Sequence, residues 1–167
     1  IPIIDRGWFG LQPLQTHIAI CGCPRSGTSL MLHILEACVK DAHTFGREVG
    51  AIKAATTALR NNPYMVSKLP RDIFVFDEIR ELYRSREADV KFVVMLRDPR
   101  GILTSIHPKR PGQYYVDIEL WREAWEQIKA KAIGADDCLI VRFEELLRDP
   151  KAIETRFVDF VGCELAM

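Results

Sequence analysis

The chain has 167 residues, 48% of them hydrophobic and 28% charged, and its 23 basic and 23 acidic side chains leave no formal net charge. This length and composition predict one globular domain over residues 1–167 with a sizeable core. The balanced charge excludes a global attraction to nucleic acid or to an anionic membrane surface, so no nucleic-acid partner is expected. No apolar run is long enough for a membrane span and the N-terminus lacks a signal-peptide pattern, so we expect no membrane span and a cytoplasmic location.

Apolar runs and helical patterns alternate along the chain. The runs predict strands at residues 17–23, 64–68, 91–96 and 138–143. Helices are predicted from residue 27 and at residues 47–60, 72–86, 99–106, 118–132 and 150–161. Asp72 is expected to cap the third helix, and one face of the fifth is expected to hold Ile118, Trp121, Trp125, Ile128 and Ala132. This alternation predicts a P-loop-type three-layer α/β/α domain with a central, mostly parallel sheet.

The cysteines do not suggest a disulfide framework or a metal centre. There are five, an odd number with irregular spacing, at Cys21, Cys23, Cys38, Cys138 and Cys163. The Cys-x-Cys pair at 21–23 has no Cys or His partner pair at a convincing spacing. We therefore expect unreactive thiols and no metal.

The loop after the first strand resembles a nucleotide-binding loop without its lysine. Gly22, Gly27 and Ser29 fit the pattern G-x-x-x-x-G-K-[ST], but Thr28 occupies the lysine position and the nearest cation is Arg25. The loop joins a buried strand to a helix, where backbone N–H groups can bind an anion. The hydroxyl groups of residues 26, 28 and 29 and the guanidinium of Arg25 add donors. An anion site is favoured over the alternative, a tight turn with a surface arginine.

A second group of cationic and hydroxyl side chains follows the strand at 91–96. Arg97 comes directly after this strand, and Ser105 would lie about two helical turns further on if residues 98–106 were helical. Arg100 is a further candidate cation. A Walker B strand would end in an acid that positions Mg²⁺, whereas Asp98 comes one residue late. Two separate anion sites suit a nucleotide phosphorylated at both the 5′ and 3′ positions better than they suit ATP.

These motifs resemble those of sulfotransferases that use 3′-phosphoadenosine 5′-phosphosulfate (PAPS). "PRSGTSLML" is similar to the family's 5′-phosphosulfate loop, and "VVMLRDPRGILTS" to its 3′-phosphate-binding strand and helix. "SKLPRDIF" and "LIVRFEELLRDP" resemble later family segments in the same order, so the resemblance covers residues 17–162. The arginine at position 25 looks closer to the tyrosylprotein and bacterial branch than to the cytosolic branch, which carries lysine there.

The resemblance implies a binding role for each matching residue. It assigns Arg25, Ser26, Gly27, Thr28 and Ser29 to the 5′ end of PAPS. It assigns Arg97 and Ser105 to the 3′-phosphate, with no metal in the reaction. The implied acceptor is a hydroxyl or amine of a small molecule, glycan or peptide. The competing hypotheses are a small P-loop kinase that uses ATP and Mg²⁺, and a degenerate nucleotide-binding module without activity.

The resemblance also implies a general base and a second cation. Related enzymes use a glutamate a little over twenty residues after the loop cation, and Glu48 lies at a similar distance after Arg25. His43 is the alternative base, since the cytosolic branch uses histidine, and His107 is a third candidate. Lys68 fits the lysine of the family's K-x-P segment, although it could also be a surface lysine at a strand end. Many members continue into a glycine-and-lysine segment that closes over PAPS, so a C-terminally truncated domain is one expectation here.

Overall fold

The computed structural model describes residues 10, 12–57 and 61–165, and in these ranges strands and helices alternate. The strands are β1 Thr16–Gly22, β2 Ala42–His43, β3 Tyr64–Lys68, β4 Asp89–Leu96, β5 Ile106–His107, β6 Arg110–Tyr114 and β7 Cys138–Arg142. The helices are α1 Thr28–Cys38, α2 Ala51–Thr57, α3 Phe76–Arg84, α4 Pro99–Leu103, α5 Ile118–Lys131, α6 Phe143–Arg148 and α7 Pro150–Val161, and a 3₁₀ segment, Pro70–Val75, precedes α3.

Five strands form one sheet in the order β2-β3-β1-β4-β7, and every pairing in it is parallel. The central strand β1 is buried along its whole length, as expected for a parallel strand with helices on both faces. In its register Ile20 pairs with Lys68 of β3, and Gly22 pairs with Met95 of β4. The carboxyl ends of these three strands therefore meet at one edge, where ligands of such sheets bind.

Helices cover both faces of the sheet. Alternate residues of β1 point to opposite faces, so Ile18 and Ile20 join a core with α1, α6 and α7. Ala19 and Cys21 join a second core with α2, α3, α4 and α5. This arrangement confirms the predicted three-layer α/β/α fold with a mostly parallel sheet. No helix among the described residues is long and apolar enough to cross a membrane.

Several predicted boundaries are wrong. The helix expected at 47–60 is observed at Ala51–Thr57, and positions 58–60 lie outside the described residues. The segment expected to form one helix at 72–86 begins as the 3₁₀ segment. Asp72 does not cap it, because its carboxylate accepts the backbone N–H of Ala51 instead. Position 143 belongs to α6 and not to a strand.

Two further corrections concern the segment that follows β4. The helix predicted to reach residue 106 ends at Leu103, and the chain continues into the antiparallel β5–β6 hairpin. In α5 the buried positions are Ala124 and Ile128, whereas Ile118 is 43% exposed. Ile118, the first residue after the cap Asp117, therefore lies outside the buried face of α5.

Candidate functional site

The loop between β1 and α1 is a tight turn that requires glycine at two positions. Gly27 has a φ of 100°, and a Cβ there would lie 2.5 Å from Cδ2 of Phe143. Gly22 has a φ of 149°, and a Cβ there would lie 2.5 Å from the carbonyl oxygen of Met95. Both positions therefore combine an unfavourable backbone conformation with a steric clash for any other residue. No described side chain caps the N-terminus of α1, so the positive end of its dipole faces the loop.

A cleft of about 320 Å³ opens beside this loop. It is lined by six of the predicted site residues, Arg25, Gly27, Thr28, Ser29, Glu48 and Arg97. Its lining therefore combines two guanidinium groups, the hydroxyl groups of Thr28, Ser29 and Tyr115, and a single carboxylate. This donor set suits a multiply charged anion, because guanidinium groups bind phosphate or sulfate oxygens in pairs.

Lys68 contacts both the loop and Glu48, the candidate base. It ends β3 beside β1, and its ammonium donates to the Ser29 Oγ at 3.0 Å and to the carboxylate of Glu48. The Lys68 side chain is only 3% exposed, whereas that of Glu48 is 57% exposed. The ammonium is thus buried under the loop, while the carboxylate paired with it opens to the cleft.

The two predicted anion sites lie side by side. The Arg25 Nε donates to the Ser105 Oγ at 2.7 Å, and the Arg97 Nη1 donates to the Arg25 carbonyl oxygen at 3.0 Å. The Arg97 guanidinium lies over the Phe143 ring, 4.6 Å from its centroid. Ser105 reaches the loop although the helix ends before it, because the chain turns towards the cleft at that point.

Two other predicted residues, Ser26 and Arg100, do not line the cleft. The Ser26 side chain is fully buried, and its Oγ has no hydrogen-bond partner among the residues that the structure describes. Its side chain therefore does not line the cleft. Arg100 forms an ion pair with Asp98 at 2.5 Å, and this partner lowers the pKa of Asp98 to about 2. Neither of these two charged groups lines the cleft beside the loop.

The three candidate bases differ in position. Glu48 lines the cleft, whereas His43 lies in the edge strand β2, where it contacts the Phe45 ring edge-on. His107 stacks on the Tyr115 ring at 4.8 Å, and its Nδ1 accepts the backbone N–H of Lys109. Of the three, Glu48 alone combines access to the cleft with direct contact to Lys68.

Sequence reasoning missed two aromatic residues of the site. Tyr115 lines the cleft and lies under the Arg25 guanidinium at 5.7 Å, and Phe143 supports both Gly27 and Arg97. Nothing local marks Tyr115, because it follows an exposed hairpin. Phe143 lies within "LIVRFEELLRDP", which predicts a strand to residue 143 and resembles a later family segment, but neither feature assigns a role to this side chain.

A larger cavity of about 630 Å³ shares Arg97 with the cleft. It lies beside α5 and is lined in part by Trp121 and Trp125, which also pack against the core. Cys23 borders the same cavity, and burial raises the pKa of its thiol to about 11, so the thiol is protonated at neutral pH. Among the described residues, no group of three or more His, Cys, Asp or Glu side chains is arranged to hold a metal ion.

Asp72 is buried next to the site, and burial raises the pKa of its carboxyl to about 6, from an ordinary value of 3.8. Between these values the native state binds more protons than the unfolded chain, so the contribution of Asp72 to stability falls as the pH rises through this window. Asp72→Asn keeps an oxygen acceptor without the charge. We therefore expect its free energy of unfolding to rise by on the order of 2 kcal/mol relative to that of the wild type as the pH increases from 4 to 7. Urea unfolding of both proteins across this range measures the difference, and a constant difference would contradict the assignment.

Comparison with known proteins agrees with the observed fold. A family model described as "Sulfotransferase family" matches residues 49–166, more than two thirds of the chain, although the loop at 22–29 and Glu48 precede the match. Among solved structures, the chain resembles mouse sulfotransferase SULT7A1 complexed with PAP, with a TM-score of 0.64 and 13% identity over 96% of this chain and 63% of that one. It also resembles the sulfotransferase domain of the Synechococcus PCC 7002 olefin synthase, with a TM-score of 0.57 and 18% identity over 92% and 75% of the two chains.

At these identities the structural matches show the fold, and the chain spans 63% of the length of the mouse protein. No curated protein matches the sequence. The family model is independent of the structural comparison and covers α2 to α7 and the strands between them. The chain therefore belongs to the sulfotransferase family.

Proposed function

We propose that this protein transfers a sulfuryl group from PAPS to a hydroxyl or amine acceptor. One observation carries the proposal: the buried Lys68 ammonium contacts both Ser29 of the loop and the cleft-facing carboxylate of Glu48. A transfer site needs a cation near the leaving group and a base near the acceptor, and this contact brings both to the end of an anion-binding loop.

The residues fit the co-substrate. The α1 N-terminus, Arg25 and the hydroxyls of Thr28 and Ser29 would hold the 5′-phosphosulfate, and Arg97 and Ser105 would hold the 3′-phosphate. Gly27 and Ser26 would maintain the conformation of the loop on its buried side, since the Ser26 side chain is buried. The structure of the mouse relative is a complex with PAP, which supports a nucleotide of this type. When bound, PAPS supplies the sulfuryl group, and no residue here is proposed to hold a metal.

Glu48 would accept the proton of the acceptor as the acceptor oxygen or nitrogen bonds to sulfur. The bond from sulfur to the bridging oxygen of the 5′-phosphate breaks, and its electron pair stays on that oxygen. Lys68 and Arg25 would stabilise this developing charge in a partly buried site, where such contacts are strong. The products are a sulfated acceptor and adenosine 3′,5′-bisphosphate. The proposed acceptor is a small molecule, glycan or peptide.

Nucleotide binding tests the proposal. We expect the protein to bind adenosine 3′,5′-bisphosphate at least about ten-fold more tightly than 5′-AMP, because a charge-assisted contact contributes about 1.5–3 kcal/mol. Arg97→Ala should abolish this preference, whereas Arg122→Ala, which removes an exposed arginine of α5, should leave it unchanged. Calorimetry with both nucleotides and with ATP plus Mg²⁺ gives the affinities.

Equal affinities for adenosine 3′,5′-bisphosphate and 5′-AMP would contradict the proposed 3′-phosphate site. Preference for ATP with Mg²⁺ would favour a kinase instead. Formation of adenosine 3′,5′-bisphosphate from PAPS then distinguishes an enzyme from a module that only binds nucleotide.

A further inference from the structure

Asp72 is a buried carboxylate to which the proposed chemistry gives no role. It is 3% exposed and lies in the 3₁₀ segment, shortly after Lys68 in the chain. Its Oδ2 accepts the backbone N–H of Ala51 at 2.8 Å, and Ala51 is the first residue of α2. The first turn of α2 contains no acidic residue, so Asp72 supplies from another segment the cap that this helix does not supply itself.

A second contact ties the same two segments together on the other side of Gly50. The backbone N–H of Val49 donates to the carbonyl oxygen of Lys68 at 3.1 Å, in a short antiparallel bridge. A Cβ on Gly50 would lie 2.9 Å from Cδ2 of Leu69 and 3.1 Å from Oδ1 of Asp72. Glycine therefore leaves the Leu69 and Asp72 side chains in place at this close approach, whereas an added methyl group would press on the ends of both.

These contacts bracket the backbone directly after Glu48. Its side chain is more than half exposed, so side-chain packing does little to restrain the carboxylate. The restraint comes from the backbone, which the Val49 and Ala51 contacts bond to the segment that carries Lys68. A general base must lie within hydrogen-bond reach of the proton it takes, and small displacements are costly.

We propose that Asp72 is a positioning residue that, by capping α2, holds Glu48 against Lys68 at the loop. The role rests on the proposed sulfuryl transfer, since it acts through the base of that reaction. A cap that served only folding would affect stability and leave the turnover of folded enzyme unchanged.

Three variants separate these roles. Asp72→Ala should lower kcat for PAPS-dependent formation of adenosine 3′,5′-bisphosphate by about 10–100-fold, with 4-nitrophenol or water as acceptor. The Kd for adenosine 3′,5′-bisphosphate should stay within about two-fold, because Asp72 does not line the cleft. Asp72→Asn should keep most of the activity, since its amide oxygen can accept the same bond. The matched control is Asp149→Ala, which removes the corresponding cap from Ala152 of α7 and should leave kcat unchanged.

A double variant tests whether Asp72 acts through Glu48. In a Glu48→Gln background, Asp72→Ala should cause little further loss of kcat, because both changes remove the same function. A full additional loss, or an unchanged kcat in the single Asp72→Ala variant, would overturn the positioning role. If Asp72→Ala does not fold, Gly50→Ala replaces it: the added methyl group disturbs the same approach, and kcat should fall without a change in nucleotide affinity.

Amide hydrogen exchange provides a readout that does not depend on activity. The Ala51 amide should exchange at least about ten-fold faster in Asp72→Ala than in the wild type or in Asp149→Ala, since it loses its acceptor. If exchange accelerates but kcat does not fall, Asp72 is a structural cap only and the positioning role is wrong. If the wild type neither binds adenosine 3′,5′-bisphosphate nor consumes PAPS, the proposed function itself fails, and the positioning role fails with it.

Discussion

Glu48→Gln is expected to lower turnover by roughly 10²–10⁴-fold while the affinity for adenosine 3′,5′-bisphosphate changes little. Glutamine keeps the shape of the side chain and an oxygen that can accept from the Lys68 ammonium, but it cannot take a proton from the acceptor. Steady-state rates with PAPS and calorimetric affinities measure the two effects separately.

His43→Ala is the informative comparison, because His43 is the alternative base. It lies in β2 against Phe45 and does not line the cleft, so its removal should be nearly silent. A collapse of turnover in this variant, with an active Glu48→Gln, would transfer the role of base to His43. If Glu48→Gln instead loses stability and nucleotide affinity, the carboxylate serves only to pair the buried lysine.

Lys68→Met should lower turnover by about 10²–10³-fold, the usual cost of removing one group that stabilises charge in the transition state. The ammonium is buried and contacts the loop at Ser29, so methionine fills a similar volume without the charge. Replacing a buried charge by an apolar side chain is often neutral or stabilising, and the exposed Glu48 left behind stays solvated. We therefore expect a melting temperature at or above that of the wild type.

Lys91→Met is the matched control for this change. Lys91 lies on β4 with its ammonium 4.8 Å from the centroid of the Phe160 ring, a contact formed outside the cleft. The Lys91→Met variant should retain full turnover. A normal rate in Lys68→Met would show that Lys68 takes no part in the transfer, and a variant that fails to fold would show that the lysine is needed for the fold.

Local patterns determined most of the architecture. The consecutive apolar residues 18–21 of β1 predict a strand buried on both faces, because successive side chains of a strand point to opposite faces of the sheet. The glycine spacing of the loop predicts the turn between β1 and α1, because Gly22 and Gly27 adopt conformations that other residues avoid. The roles of Arg25, Glu48 and Lys68 came from resemblance to a family, and they stay predictions.

Competition between distant groups explains the local errors. An aspartate before a predicted helix is a good capping signal, yet Asp72 accepts its bond from Ala51, which precedes it by a whole strand and turn. Ser105 is predicted to lie in a regular helix, yet it follows the end of α4 and accepts a hydrogen bond from Arg25 there. Propensity describes only the nearest neighbours of a residue, whereas these contacts depend on where another segment lies.

Tertiary structure alone decided which charges meet. The ion pair of Lys68 with Glu48 and the hydrogen bond from Arg25 to Ser105 join segments whose proximity depends on the order and register of the parallel strands. Pairing of Ile20 with Lys68 and of Gly22 with Met95 brings three strand ends to one edge. Hydrophobic periodicity marks each strand as buried but carries no information on its neighbours, because any apolar strand can pair with any other. Most residues of the candidate site, though not Tyr115 and Phe143, could therefore be proposed from the sequence, while the contact between Lys68 and Glu48 appears only when the sheet is assembled.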